Sequence, residues 1–263
     1  IGEGSSTAAS AVSSVALGLE AEAVGACSIA IGSSVTATGL QSIAIGDTAG
    51  SISSSSIAIG QKSVANGSSA IVLGPLAKTF GDSAIAIGSL STADASYSLS
   101  FGSGSTSLNS GTIAIGKSAI SGTLLTSSEN SIAIGSGSKA QGVSAIAFGN
   151  GASSSADFAI SIGDGSSATK ANAVALGAGS QATGENSLAL GAGSSASASG
   201  AVAIGAFSNA AGENAIAIGF GACAASKNSF VLGAGAKAIG ENAGAIGHSA
   251  LTNGIDAMAI GVK

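Results

Sequence analysis

A pattern of apolar, small, apolar and glycine residues recurs along the whole 263-residue chain and constrains its fold more than any other feature. Sixteen of the eighteen intervals between successive motif glycines have the same length, that from Gly32 to Gly46. The exceptions are the longer intervals from Gly2 to Gly18 and from Gly116 to Gly135. A fixed short period is the signature of a repeat protein, in which each unit packs only on its neighbours.

The motif glycines are expected to occupy turns, because glycine adopts positive φ angles without steric cost. These turn glycines are Gly18, Gly32, Gly46, Gly60, Gly74, Gly88, Gly102, Gly116, Gly135, Gly149, Gly163, Gly177, Gly191, Gly205, Gly219, Gly233, Gly247 and Gly261.

We count positions in each coil from the motif glycine, which is position 0. Each repeat then carries two short segments in which residue types alternate. Positions 11 and 13 are large and apolar, as Ile43 and Ile45 are, and a period of two indicates a strand. Positions 3 and 5 are small, as Ser63 and Ala65 are, and indicate a second strand. A second glycine at position 7, such as Gly67, separates the two. Each repeat is therefore predicted to be one flattened coil of two strands and two turns.

Stacked coils of this kind pair their strands in parallel and share a narrow core. The sequence thus predicts an all-β fold, a parallel β-solenoid of about 18 coils, as one repetitive domain over residues 1–263. The long interval after Gly116 predicts a loop insertion around residues 118–129. Because the chain begins with Ile1 rather than Met, we expect it to be a fragment of a longer chain.

The two faces of the three-residue strand predict an interaction surface. We expect the large residues at positions 11 and 13 to fill the coil, which turns the alanine at position 12 outward. Periodicity alone leaves the opposite assignment open, and either one leaves apolar surface to be covered by another copy. The candidate small-residue face between chains consists of Ala44, Ala58, Ala86, Ala133, Ala175, Ala203 and Ala217.

Composition excludes several classes of function. Eight basic residues face thirteen carboxylates, with a net charge of −5, so a basic surface for nucleic acid is missing. No apolar run approaches the roughly 18 residues of a membrane-spanning helix, so direct membrane insertion is not expected. The single histidine, His248, lies next to Ser249 but has no orienting acid nearby to complete a triad, and Cys27 and Cys223 lie too many coils apart to pair. We expect no enzyme activity, no metal and no cofactor.

Polar residues recur at the second turn of the coil. At position 8, Glu213, Lys227 and Glu241 predict a ladder of alternating charge. At position 9, asparagines predict stacked amides that bond one another: Asn172, Asn186, Asn214, Asn228 and Asn242. Asn66-Gly67-Ser68 has the form of a glycosylation acceptor, although a chance match is favoured.

The sequence Asn-Ser-Leu-Ala-Leu-Gly at 186–191, preceded by Gly-Ser-Gln-Ala-Thr-Gly at 179–184, resembles the YadA-type head repeat of trimeric autotransporter adhesins. The resemblance covers nearly the whole chain. It implies a left-handed parallel β-roll, three chains side by side in a trimeric rod, and display outside the cell for adhesion. Two features depart from the pattern. One is the long interval after Gly116, and the other is Gly244, which stands where an apolar residue is usual.

The resemblance implies partners as well as a fold. These are other copies of the chain and a host or neighbouring cell-surface or matrix protein or glycan, met on the outer surface of a cell. The alternative is a fibre of a virus or phage, or an extracellular filament, with the same roll as its shaft. The candidate binding loop within the insertion consists of Leu124, Leu125 and Glu129.

Overall fold

The computed structural model describes residues 2–8, 11–124 and 128–262. It divides into two compact units, Ile1–Gly137 and Ser138–Lys263. All regular elements in these ranges are short β-strands, numbered β1 to β36 in chain order. Each unit repeats the same coil. The single domain over residues 1–263 stays a prediction.

The strands of the first unit alternate between two and three residues in length. They are β1 (Ser6–Thr7), β2 (Val15–Leu17), β3 (Glu22–Ala23), β4 (Ile29–Ile31), β5 (Thr36–Ala37), β6 (Ile43–Ile45), β7 (Gly50–Ser51), β8 (Ile57–Ile59), β9 (Val64–Ala65), β10 (Ile71–Leu73), β11 (Lys78–Thr79), β12 (Ile85–Ile87), β13 (Thr92–Ala93), β14 (Leu99–Phe101), β15 (Thr106–Ser107), β16 (Ile113–Ile115), β17 (Ile120–Ser121) and β18 (Ile132–Ile134).

The strands of the second unit follow the same alternation. They are β19 (Lys139–Ala140), β20 (Ile146–Phe148), β21 (Ser153–Ser154), β22 (Ile160–Ile162), β23 (Ser167–Ala168), β24 (Val174–Leu176), β25 (Gln181–Ala182), β26 (Leu188–Leu190), β27 (Ser195–Ala196), β28 (Val202–Ile204), β29 (Asn209–Ala210), β30 (Ile216–Ile218), β31 (Cys223–Ala224), β32 (Phe230–Leu232), β33 (Lys237–Ala238), β34 (Gly244–Ile246), β35 (Leu251–Thr252) and β36 (Met258–Ile260).

Within each unit, successive coils pair their equivalent strands in parallel. Ile43 lies opposite Ile57 in the three-residue strands, and Ser51 lies opposite Ala65 in the two-residue strands, so both pairs are offset by one repeat. Within each unit the three-residue strands thus build one sheet and the two-residue strands the other. The predicted all-β parallel solenoid of about 18 coils is confirmed.

The interior between the two sheets is filled almost entirely by alanine and serine at positions 3, 5, 10 and 12. The largest fully buried side chains in the described ranges include Val35, Val72 and Val231, and none is larger than valine. Two strands joined by such short turns lie too close together for isoleucine or leucine between them. The expectation that positions 11 and 13 fill the coil is therefore wrong.

The predicted small-residue face between chains is wrong for the same reason. Its members are 0% exposed within a single chain, so they line the coil's own interior and are not available to a second chain: Ala44, Ala58, Ala86, Ala133, Ala175, Ala203 and Ala217. The opposite assignment, which the alternation left open, is the one that the structure has. The large residues of the same strands point outward.

The turn glycines named above all have φ angles between 120° and 145°. This region is essentially restricted to glycine. A Cβ on Gly46 would also lie 2.6 Å from the carbonyl oxygen of Gly60 in the next coil. The glycines therefore set both the turn and the close stacking of one coil on the next.

The insertion predicted around residues 118–129 stays a prediction, and the coil is still regular where that range begins. Ser118 has the positive φ of a regular turn residue, 55°, and β17 follows at its regular place in the coil. The extra residues fall between Gly122 and Ser128, where the backbone N–H of Thr123 donates to Asn109 Oδ1 at 2.8 Å.

Candidate functional site: the outer faces of the coils

The first and last residues of the three-residue strands form an outward apolar row in each unit, here called the apolar ladder. Ile43 and Ile45 lie in register with Ile57 and Ile59 of the next coil. Most members are half-buried, and several are more open, such as Ile59 at 37% exposed. Contiguous exposed apolar surface is typical of interaction sites. The ladder is the surface that sequence analysis placed inside the coil.

The second turn of the coil carries hydrogen-bonded amides. Asn172 Nδ2 donates to Asn186 Oδ1 at 3.1 Å, and Asn228 Nδ2 donates to Asn242 Oδ1 at 3.0 Å. The predicted stacking of amides is confirmed for these two pairs. They tie successive turns together along the edge of the solenoid.

The predicted charge ladder is present only in part. Lys227 Nζ lies 3.1 Å from Glu213 Oε2, and this is the one ion pair among the described residues. Both side chains are about half exposed, so the pair stabilises the fold weakly, by roughly 0.2–1 kcal/mol. Glu241, the third member predicted, makes no ion pair with Lys227.

Hydrogen bonds from the preceding or following coil satisfy five of the six aspartate carboxylates. The donors are Gln61 Nε2 to Asp47 (3.3 Å), Ser68 N to Asp82 (2.8 Å), Val143 N to Asp157 (2.9 Å), Asn150 Nδ2 to Asp164 (2.9 Å) and Asn242 Nδ2 to Asp256 (2.9 Å). All five of these aspartates are exposed.

Asp94 is the exception. It is half-buried, and its carboxylate makes neither a hydrogen bond nor an ion pair with any residue that the structure describes. Burial raises the pKa of the Asp94 carboxyl above its ordinary value, because desolvation disfavours the charged form. Sequence analysis missed this residue, since its isolation depends on the side chains of neighbouring coils.

Several aromatic side chains are exposed at the turns. Phe207 and Phe220, each 63% exposed, form an edge-to-face pair with ring centroids 5.9 Å apart. Tyr97 is 71% exposed and Phe158 is 56% exposed. Tyr97, Phe158 and Phe207 have φ angles of 57–60°, a region that bulky residues rarely adopt. An aromatic residue at a turn position filled in most other coils by serine, asparagine or glycine was the sequence signal that could have found them.

The candidate binding loop is described only in part. Leu124 is 84% exposed, and Glu129 is exposed in the turn that follows the insertion. Leu125 lies outside the described residues. Nothing in the described part of the loop brings Leu124 and Glu129 into contact, so the loop stays a prediction.

The two cysteines and the possible metal ligands do not form a site among the described residues. Cys27 is exposed and Cys223 half-buried, and both thiols are free. Within residues 2–8, 11–124 and 128–262, no three histidine, cysteine, aspartate or glutamate side chains come together as metal ligands. No helix in these ranges is long and apolar enough to cross a membrane.

Comparison with protein families gives a match to the YadA head domain repeat along most of the chain. The matched segments are 9–34, 23–49, 37–63, 51–77, 65–91, 81–105, 127–152, 140–166, 154–180, 168–194, 182–208, 196–222 and 238–263.

Comparison with solved structures gives the collagen-binding domain of the Yersinia adhesin YadA, at 26% sequence identity and a TM-score of 0.38. The alignment covers 58% of this chain and 81% of that one. Comparison with curated proteins gives no match. The family match covers well over half of the residues of this chain. This chain therefore belongs to the family of YadA head domain repeats and is adhesin-like.

Proposed function

We propose that this chain is the head segment of a homotrimeric adhesin, displayed outside the cell, that attaches to host, matrix or neighbouring-cell surfaces. The observation that carries the proposal is the apolar ladder. The coil interior accepts nothing larger than valine, so the large residues of every three-residue strand are left outside. Only a partner can remove them from water.

The partner best suited to the ladder is another copy of the same chain. The ladder repeats once in every coil, and an identical ladder has the same spacing between its rows. Burial of apolar surface stabilises such a contact by roughly 25 cal/mol per Å². The number of three chains comes from the resemblance to trimeric autotransporter heads.

If the ladder is covered by other copies of the chain, attachment to a cell or matrix uses the surfaces outside the ladder. The turns carry exposed aromatic side chains, including Tyr97, Phe158 and the pair Phe207 and Phe220. A trimer presents each of these features three times, so weak individual contacts add through effective concentration. We expect a protein or glycan as the ligand.

Sedimentation equilibrium tests the assembly. We expect the mass of three chains for the wild type. The double variant Ile57→Ser and Ile59→Ser removes the ladder of one coil, so it should assemble more weakly and show more single chains at the same concentration. Ile52→Ser is the matched control, because Ile52 is 48% exposed but follows a two-residue strand, away from the ladder. A monomeric wild type, or loss of assembly in the control alone, would contradict the proposal.

Binding to coated surfaces tests the adhesive role. The wild type should attach to immobilised matrix proteins or to cells, and the double variant should bind more weakly in proportion to its loss of assembly, because fewer chains share each attachment. A trimeric wild type that attaches to none of these surfaces would favour the structural alternative, a fibre or filament.

A further inference from the structure

Asp94 lies at coil position 6, between two apolar residues at the same position of adjacent coils. The backbone N–H of Phe80 donates to the carbonyl of Ala93 at 3.0 Å, and that of Asp94 donates to the carbonyl of Ser107 at 2.8 Å. This register places Phe80 on one side of Asp94 and Leu108 on the other, each about 4.8 Å away along the stack.

The Asp94 carboxylate has no hydrogen-bond or ion-pair partner among the described residues, whereas each of the other five aspartates accepts a hydrogen bond. Its neighbours Phe80 and Leu108 offer it no hydrogen bond, and Lys78, on the same face one coil earlier, forms no ion pair with it. A half-buried carboxylate without a partner destabilises the fold, because it loses water without a replacement. Such a group points to a ligand that supplies the missing charge.

Two exposed aromatic residues are neighbours of Asp94, Phe80 in the preceding coil of the stack and Tyr97 in the turn that follows along the chain. Phe80 is 51% exposed, and Tyr97, in the turn three residues after Asp94, is 71% exposed. Tyr97 also has a φ of 60°, at a position where the three preceding coils have Ser55, Ser69 and Ser83. Tyrosine is thus unfavourable here both for its conformation and for its exposure.

We propose that Asp94, Phe80 and Tyr97 form a binding site for an arginine side chain of the partner. The carboxylate would accept hydrogen bonds from the guanidinium, and the aromatic faces would attract its delocalised charge. Arginine suits the site better than lysine, because its planar group is weakly hydrated and stacks on rings. The apolar part of the arginine side chain would pack on Leu108.

The site and the ladder lie on different sheets of the coil, so an assembly through the ladder alone would leave the site open. Asp94 follows β13, a two-residue strand, and the ladder lies on the three-residue strands of the other sheet. The inference names the partner chemistry of the proposed adhesive function and in that respect rests on it.

Biolayer interferometry with an immobilised peptide tests the site. The probe carries four arginines separated by glycine and serine, and the reference peptide has the neutral isostere citrulline in their place. At about 0.15 M salt, where long-range attraction is screened, we expect Asp94→Asn to weaken binding of the arginine peptide by about tenfold. Asp164→Asn is the matched control, because it removes the same charge from a hydrogen-bonded carboxylate and should change binding less than about twofold.

A second pair of variants tests the aromatic part of the site. Tyr97→Ser introduces the residue found at this position in earlier coils, and Phe158→Ser does the same for an exposed ring elsewhere, after Ser144 in the preceding coil. We expect only Tyr97→Ser to weaken binding, by about threefold to tenfold. Equal losses in Asp94→Asn and Asp164→Asn, or binding of the citrulline peptide as strong as that of the arginine peptide, would overturn the proposal.

The proposal of an arginine site and the proposal of an adhesive function can be disproved separately. If the wild type attaches to cells or matrix but all variants bind the arginine peptide alike, the site is wrong and the adhesive role stands. If the wild type attaches to no surface but binds the peptide through Asp94, the adhesive role is wrong and the site stands.

Discussion

The side-chain amide of Asn228 donates a hydrogen bond to Oδ1 of Asn242 in the following coil, at 3.0 Å. Asn242 in turn donates from Nδ2 to the carboxylate of Asp256 at 2.9 Å. Both asparagines have a φ of 55°, which asparagine tolerates better than most side chains. One residue type therefore meets two requirements at this turn, the positive φ and the bond to the next coil.

Substitutions of Asn242 separate these two contributions. Asn242→Ala removes both hydrogen bonds and the tolerance for positive φ, and we expect it to lower the free energy of unfolding by about 1–2 kcal/mol. Asn242→Gly keeps the conformational freedom and should lose about half as much. Urea unfolding measures both. An equal loss in the two variants would show that the conformation of this turn contributes nothing.

Thr79 has a buried hydroxyl without a hydrogen-bond partner among the described residues. Valine has nearly the same shape, so Thr79→Val should raise the free energy of unfolding by about 1 kcal/mol. Thr112 is equally buried, but its hydroxyl donates to the carbonyl of Asn109. Thr112→Val should therefore lower stability by about 1 kcal/mol. Thermal unfolding of both variants checks the opposite signs, and the same sign in both would contradict the assignment.

Gly163 and Gly165 lie two residues apart and are expected to respond differently to substitution. Gly163 has a φ of 133°, and a Cβ there would lie 2.5 Å from the carbonyl of Gly177. Gly165 has a φ of 62°, with none of the described atoms within 4 Å of its added Cβ. We expect Gly163→Ala to cost about 2–4 kcal/mol and Gly165→Asn less than about 1 kcal/mol. Circular dichroism during urea unfolding measures the difference, and similar losses would contradict the tight stacking.

The regular spacing of the motif glycines predicted the strands, the turns and their register, because each depends on local sequence. Alternation along Ile57-Ala58-Ile59 shows which residues share a face, but not which face is inside. That choice depends on the distance between the two sheets, which admits Val72 and nothing larger. Asp94 could not be found in this way either, because the lack of a partner is a property of the coils around it.

Ala58 tests the choice of the inner face directly. Ala58 is 0% exposed, so Ala58→Leu should overpack the coil and lower the free energy of unfolding by about 3 kcal/mol or more. Ile59→Leu, on the outward face of the same strand, conserves volume and should change it by less than about 1 kcal/mol. Folded yield and thermal unfolding measure both. A stable Ala58→Leu would place the alanine outside the coil and contradict the structure.

Asp94 predicts an unusual pH dependence. Because its pKa is raised in the folded state, the unfolded chain ionises first as pH rises, and the folded state loses stability from the ordinary aspartate pKa up to the raised value. Asp94→Asn lacks this loss, so it should be more stable than the wild type near pH 7. The difference should vanish near pH 3, where the carboxyl is largely neutral in both states.

Asp82→Asn is the matched control for this experiment. The Asp82 carboxylate accepts a hydrogen bond from the backbone N–H of Ser68 at 2.8 Å, so neutralising it weakens a charge-assisted bond. We therefore expect Asp82→Asn to be less stable than the wild type near pH 7, the opposite sign to Asp94→Asn. Urea unfolding of the three proteins at both pH values measures the signs. If Asp94→Asn were the less stable variant at neutral pH, its carboxylate would have a partner in the fold, and the requirement for an external cation would disappear.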